Sequence, residues 1–149
     1  MSEKKYVPIT NILPPMPCYW SVGLFMERFY KDLGEKKFTG IKCACGRVAV
    51  PPRKICPACG QVMSEFVEVK PAGVLTNFTV AYQNVAGQRR ETPVIIGLVK
   101  LGGADTAVFG EVRGIAPAAV KTGLQVRAVW ADKPGLTVES LSHFEPVGG

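Results

Sequence analysis

Residues 43–60 read CACGRVAVPPRKICPACG, and this block constrains the fold more than any other stretch of the chain. Cys43 and Cys45 are one residue apart, Cys56 and Cys59 two apart, and ten residues separate the pairs. Paired cysteines spaced in this way suit tetrahedral thiolate ligation of a zinc ion. Both pairs end in Cys-Gly. A glycine there lets backbone N–H groups approach thiolates that must share one doubly charged ion, and Pro57 shapes the second turn. Four thiolates close the coordination shell, whereas a catalytic zinc keeps a position open, so the predicted site is structural.

All five cysteines, Cys18 included, fall within the first 59 residues. An odd, clustered set argues for metal rather than disulfides, and the N-terminal MSEKKYVPIT lacks the apolar core of an export signal. No apolar run approaches the roughly 18 residues of a membrane span. The expectation is a soluble, cytoplasmic protein without membrane association. At 149 residues the chain suits one domain, or a small domain with an appended module, and is too short for a two-lobed dehydrogenase. Apolar residues at 47% against 20% charged place it among folded rather than disordered proteins.

Three segments follow from the pattern. Residues 1–17 are apolar and Pro-rich, with Pro8, Pro14, Pro15 and Pro17 favouring an extended arm. From Ser21 onward, Val22, Phe25, Met26, Phe29, Tyr30 and Leu33 recur at three- and four-residue spacing, with Ser21 as N-cap and Gly34 as the stop. The wide aromatic face of this helix serves its own domain or a partner. The apolar content of residues 1–33, placed ahead of units with core residues of their own, favours a partner-docking element. Residues 38–69 hold short apolar runs between turns, as in two small hairpins carrying the cysteines. Residues 71–149 read as five strands, at Gly73–Val85, Pro93–Leu101, Ala107–Val112, Val126–Ala131 and Thr137–Phe144. One short helical turn is expected at Pro117–Thr122. Five strands in that length point to a small closed barrel of the oligonucleotide/oligosaccharide-binding (OB) type. The predicted architecture is mainly β: an arm and amphipathic helix at 1–37, a rubredoxin-like zinc ribbon at 38–70, and a five-stranded OB-fold barrel at 71–149.

The helix ending FYKDL, the block KCACGRVAVPPRKICPACG, the strand GVLTNFTV, then PVIIGLVKL and KTGLQVRAVW together resemble the domain-of-unknown-function 35 family over residues 25–146. The most specific part is residues 43–60, with Pro51-Pro52-Arg53 between the knuckles. One departure stands out. The family usually has two residues between the first cysteines, which would place a ligand at position 42, here Lys42. The resemblance implies a zinc ribbon plus OB barrel acting as a noncatalytic subunit of a thiolase, acyltransferase, or acyl-CoA hydratase or aldolase. It also implies a hetero-oligomer in which the barrel borders coenzyme A, here in a thiolase complex of aromatic degradation.

Three classes of function are open to such a chain. Self-contained catalysis is not expected: His143 is the sole histidine, the knuckle thiols are committed to metal, and Cys18 sits beside Tyr19 and Trp20 without an acid or base nearby. Binding of single-stranded nucleic acid is the alternative, with Phe66, Phe78, Tyr82 and Trp130 as stacking candidates that fit a barrel core equally well. Residues 1–70 carry 11 Lys/Arg against 6 Asp/Glu, a modest excess without a long basic run. An acyl-CoA subunit is the preferred reading. Its phosphate counter-charges would be Arg47, Arg53, Lys54, Arg89 and Arg90, the last two in a polar loop between strands.

Overall fold

The computed structural model describes residues 21–148. A single α-helix, α1 (Gly23–Gly34), precedes eight strands: β1 (Phe38–Lys42), β2 (Val48–Ala49), β3 (Glu65–Val69), β4 (Ala72–Gln83), β5 (Arg89–Leu101), β6 (Ala107–Val112), β7 (Gln125–Trp130) and β8 (Leu141–Pro146). The first three form an antiparallel sheet in the order β2-β1-β3, and the last five close a barrel in the order β4-β5-β6-β8-β7. The closing β6–β8 contact is parallel, at Val112 opposite Phe144. This is the OB arrangement. Among the described residues no helix is long and apolar enough to cross a membrane.

The helix ends at Gly34 as expected but differs from expectation in its N-cap and in how it stops. Val22, not Ser21, is the N-cap, and no side chain caps it. The chain leaves the helix at Lys36, whose φ of 62° is left-handed. Lys36 N–H bonds to Leu33 O at 3.0 Å and Lys37 N–H to Asp32 O at 2.9 Å, the double bond of a Schellman turn. Gly34 is required for another reason: a Cβ there would meet Gly135 O at 3.1 Å, so the glycine lets α1 lie against the β7–β8 connection.

That contact shows where the helix belongs. Phe29 and Leu33 are buried in the same core as Leu75, Val99, Val126 and Phe144 of the barrel. The reading of residues 1–33 as an element docked solely on a partner is therefore corrected for the second half of α1, which completes this chain's own core. Residues 1–20, with the arm and Cys18, lie outside the described residues. At the other end of α1, Val22 and Leu24 remain exposed.

Ribbon and barrel also share that core, through Phe38, Val50 and Val69. The Phe38 ring lies 5.1 Å from Trp130, 6.4 Å from Phe29 and 6.5 Å from Phe144, so one aromatic cluster joins helix, sheet and barrel. Hydrogen bonds fix the same junction. Val48 N–H donates to Asp105 Oδ2 at 2.9 Å, and Asp105 N–H returns a bond to Val48 O at 2.8 Å. The Thr106 hydroxyl accepts from Val50 N–H and donates to Val50 O, each at 2.7 Å. The β5–β6 turn thus acts as a second partner for the β2 segment, which otherwise pairs only with β1.

Four barrel strands lie near their expected positions, and the departures have local causes. β5 begins at Arg89, four residues before the continuous apolar run, because Gln83 pairs with Arg89 across a tight turn. The last strand starts at Leu141, since Thr137 caps a 3₁₀ turn over Val138–Ser140 by accepting from Glu139 N–H at 3.0 Å. The stretch around Pro117 forms turns only. Two small residues let the barrel close: a Cβ on Gly97 would lie 2.4 Å from Leu75, and one on Gly110 2.7 Å from the Phe144 ring.

Candidate metal centre and surrounding surfaces

The two knuckles are built from the ends of the ribbon strands. Cys43 follows β1 and Cys56 follows an isolated bridge between Ile55 and Val62. Gly46 and Gly60, each just after the second cysteine of its pair, have φ values of 88° and 72°. Such values favour glycine and turn the chain back beneath the sulfurs. The shorter first knuckle is the second with one residue removed: Cys43 O accepts from Gly46 N–H, three residues on, whereas Cys56 O accepts from Gly60 N–H, four residues on. Lys42 is an exposed strand residue paired with Val48 and Glu65, and takes no part in the cluster.

All four sulfurs lie within 4.8 Å of one another, with Cys43–Cys59 at 3.5 Å and Cys45–Cys56 at 3.7 Å. A tetrahedron of thiolates about 2.3 Å from a central zinc has edges of about 3.8 Å, so the donor set fits one ion of that size. Cys43 and Cys56 are buried with Ile41, Ala49 and Met63, while Cys45 and Cys59 face solvent. Backbone donors prepare the site for negative charge. The N–H groups of Ala58 and Cys59 bond to the Cys56 sulfur and bring its pKa down to about 6. The Cys45 N–H acts in the same sense on Cys43, but burial and the neighbouring thiols outweigh it and push Cys43 up to about 12. The backbone donors thus favour the thiolate form of Cys56, and an incoming cation would displace the remaining thiol protons.

The five cations singled out from the sequence do not converge. Arg47 lies in the first knuckle turn, and Arg53 and Lys54 lead into the second; all three are exposed. Arg89 and Arg90 are exposed at the start of β5, not in a loop, and Arg90 Nε donates to Gln83 O at 3.3 Å. The ribbon meets the opposite end of β5, twelve residues on, or about 40 Å of extended strand away. A single phosphate group cannot engage both sets.

The stacking candidates also divide. Trp130 and Phe78 pack against the core, and Phe66 lies 6.0 Å from Phe25. Tyr82 is exposed, as is Phe109, which the sequence reading missed. Strand parity carried the signal, because Val108 and Val112 of β6 face inward and Phe109 must then face out, opposite Leu98. Leu98 and Phe109 line a shallow apolar groove of about 270 Å³ on the barrel surface. His143 is half-buried on β8 with its Nδ1 3.0 Å from Ser142 Oγ.

A four-cysteine ribbon sharing one core with an OB barrel defines the class of this protein. Comparison with known proteins agrees. The family model described as ChsH2, C-terminal OB-fold domain, matches residues 66–131. A DUF35 domain-containing scaffold protein of Methanocaldococcus jannaschii is 32% identical over 94 residues, 61% of this chain and 65% of the relative, so the match spans just under two thirds of that protein. A scaffold protein of the same description from Pyrococcus furiosus is 27% identical over 105 residues, 70% of this chain and 76% of the relative. Among solved structures, a DUF35 protein of unknown function from Sulfolobus solfataricus shares the fold with a TM-score of 0.65 and 24% identity, covering 81% of this chain and 84% of that one. The Ltp2-ChsH2(DUF35) aldolase matches with a TM-score of 0.61 and 25% identity, over 80% of this chain and 91% of that one. The chain is thus similar to DUF35 proteins in sequence and fold.

Proposed function

We propose that this chain is a noncatalytic accessory subunit that docks on a thiolase-like catalytic subunit and borders its acyl-CoA site. The observation that carries the reading is the likeness, over 80% of the chain, to a DUF35 protein named jointly with Ltp2 as an aldolase. Relatives named scaffold proteins support it. The resemblance of the apolar N-terminal segment to the small subunit of the thiolase acting on 2-benzoylsuccinyl-CoA, in anaerobic toluene breakdown, favours that substrate class.

In this reading the ion held by Cys43, Cys45, Cys56 and Cys59 is zinc, which supplies rigidity and no chemistry. The units are the arm and helix (1–37), the ribbon (38–70) and the barrel (71–149). Docking begins where the arm joins α1. There, exposed Val22 and Leu136 line a largely apolar groove of about 240 Å³ with Tyr30, Glu27 and Lys31, and Leu24 and Val138, nearby in sequence, are also exposed. Apolar side chains of this size, left uncovered, form the core of a protein interface. The chain then aids catalysis indirectly, by closing the site to water and holding the acyl-CoA in place, with Arg47, Arg53 and Lys54 at the ribbon or Arg89 and Arg90 at the far hairpin as counter-charges.

Co-expression with a thiolase-like partner tests the reading. A stable hetero-oligomer in size-exclusion chromatography is the expected result, with Leu24→Asp plus Leu136→Asp weakening it at least about tenfold while metal content and fold persist. A complex indifferent to both changes, or no complex at all, would count against this interface or this partner respectively.

A further inference from the structure

We propose that the groove at the ribbon–barrel junction, lined by Lys70 and Lys100, is a binding site for a diphosphate-bearing anion. The groove is open to solvent and spans about 530 Å³, and the polar side chains lining it are Lys70, Lys100 and Gln125, without a carboxylate. Its volume is in the range of small-molecule sites. Its floor is short-chained: Ala72, Gly102 and Gly103 leave the backbone open to close approach. Gly103 has a φ of 94°, and a Cβ placed on it would meet nothing within 4 Å.

Lys70 and Lys100 line the same groove from different elements, Lys100 from β5 and Lys70 from the β3–β4 connection. Gln125 of β7, Val74 of β4 and Lys100 of β5 are opposite one another across the sheet. Two residues beyond Lys100, the Lys70 stem covers Gly102, where a Cβ would lie 3.4 Å from Lys70 Cβ. Lys70 N–H donates to Gly102 O at 3.1 Å, which holds its backbone beside the end of β5. Two ammonium groups on flexible four-carbon stems at the rim of one groove can close on the adjacent phosphates of one diphosphate. Neither lysine joins an ion pair among the described residues. Arg127, opposite Ala72 in the neighbouring row, is engaged with Glu145 at 2.7 Å and sets the edge of the site. None of the five cations chosen from sequence lines this groove. The assignment concerns the isolated chain and stands whether or not a thiolase-like partner docks.

Inorganic pyrophosphate, titrated into the metal-loaded full chain, is the probe. Saturable binding at or below about 10 mM is expected, with amide shifts in two-dimensional NMR confined to residues 70–74, 100–104 and 125–127. Lys70→Gln with Lys100→Gln should weaken binding roughly tenfold, while Arg89→Gln with Arg90→Gln, which removes the same charge elsewhere, should leave it within about twofold. Equal losses in both double variants would mean attraction to net charge alone. That result, shifts centred on residues 47–54 or 83–90, or no saturation would each overturn the site. Free coenzyme A forms a second arm: binding tighter than pyrophosphate, lost in the same lysine variant, identifies a coenzyme as the source of the diphosphate, whereas equal affinity identifies the free anion.

Discussion

Asp32 is a carboxylate almost shut off from water, and each of its oxygens is satisfied. Arg28 Nε, one helical turn earlier, donates to both oxygens at 3.1 and 2.8 Å, and the Thr39 hydroxyl of β1 donates to Oδ2. This ties α1 to the ribbon sheet. Replacing Asp32 by Ala leaves Thr39, itself buried, without a partner and should cost about 2 kcal/mol. Urea unfolding with an unchanged m value is the check. The Arg28–Asp32 spacing was visible in the sequence, but Thr39, seven residues on and in another element, was not. The cysteines were legible for the opposite reason, since their chemistry requires short spacing. Cys56→Ser removes a buried ligand that three others cannot replace. Structural zinc contributes on the order of 10 kcal/mol in small ribbons, so bound metal should fall to near zero and the amides of residues 43–63 should lose their exchange protection. Retention of stoichiometric metal would mean the remaining thiols suffice.

At the scale of elements, α1 divides functionally along its length. Leu33 is buried beside Phe29 in the common core, whereas Leu24 is 71% exposed. Leu33→Ala should therefore cost 2–5 kcal/mol, the range for emptied core positions, and Leu24→Ala should stay within about 0.5 kcal/mol. Thermal melts of the two variants measure the contrast, and equal effects would contradict it. Three- and four-residue periodicity exposed the helix but not the object its face meets, because own core and partner surface demand the same side chains. The strands were legible from alternation, and two boundaries were not. Arg89–Thr92 extend β5 through backbone pairing that their side chains do not advertise, and the 3₁₀ turn at Val138–Ser140 depends on the Thr137 cap within a run that reads as strand.

Across the whole molecule, ribbon and barrel are mechanically one object. Asp105 and Thr106 reach Val48 and Val50 from more than fifty residues away, and the Phe38 ring of the ribbon sheet lies 5.1 Å from Trp130 of the barrel. Nothing local in the sequence marks such a junction, which is why a reading in three successive units carried no sign of their common core. Metal removal should consequently be felt in the barrel. In a Trp20→Phe chain, where Trp130 is the remaining tryptophan, chelation should shift its emission to longer wavelength and zinc should restore it. An unchanged spectrum would mean that the barrel holds Phe38 without the metal. The central claim, accessory function in an acyl-CoA enzyme, is tested most directly by turnover with purified components. Acyl-CoA thiolysis is to be measured for the thiolase-like partner alone, for this chain alone, and for the two mixed at equal concentration. The account predicts activity in the mixture, at least about tenfold above either component. Full activity of the partner alone, or turnover by this chain alone, would contradict it.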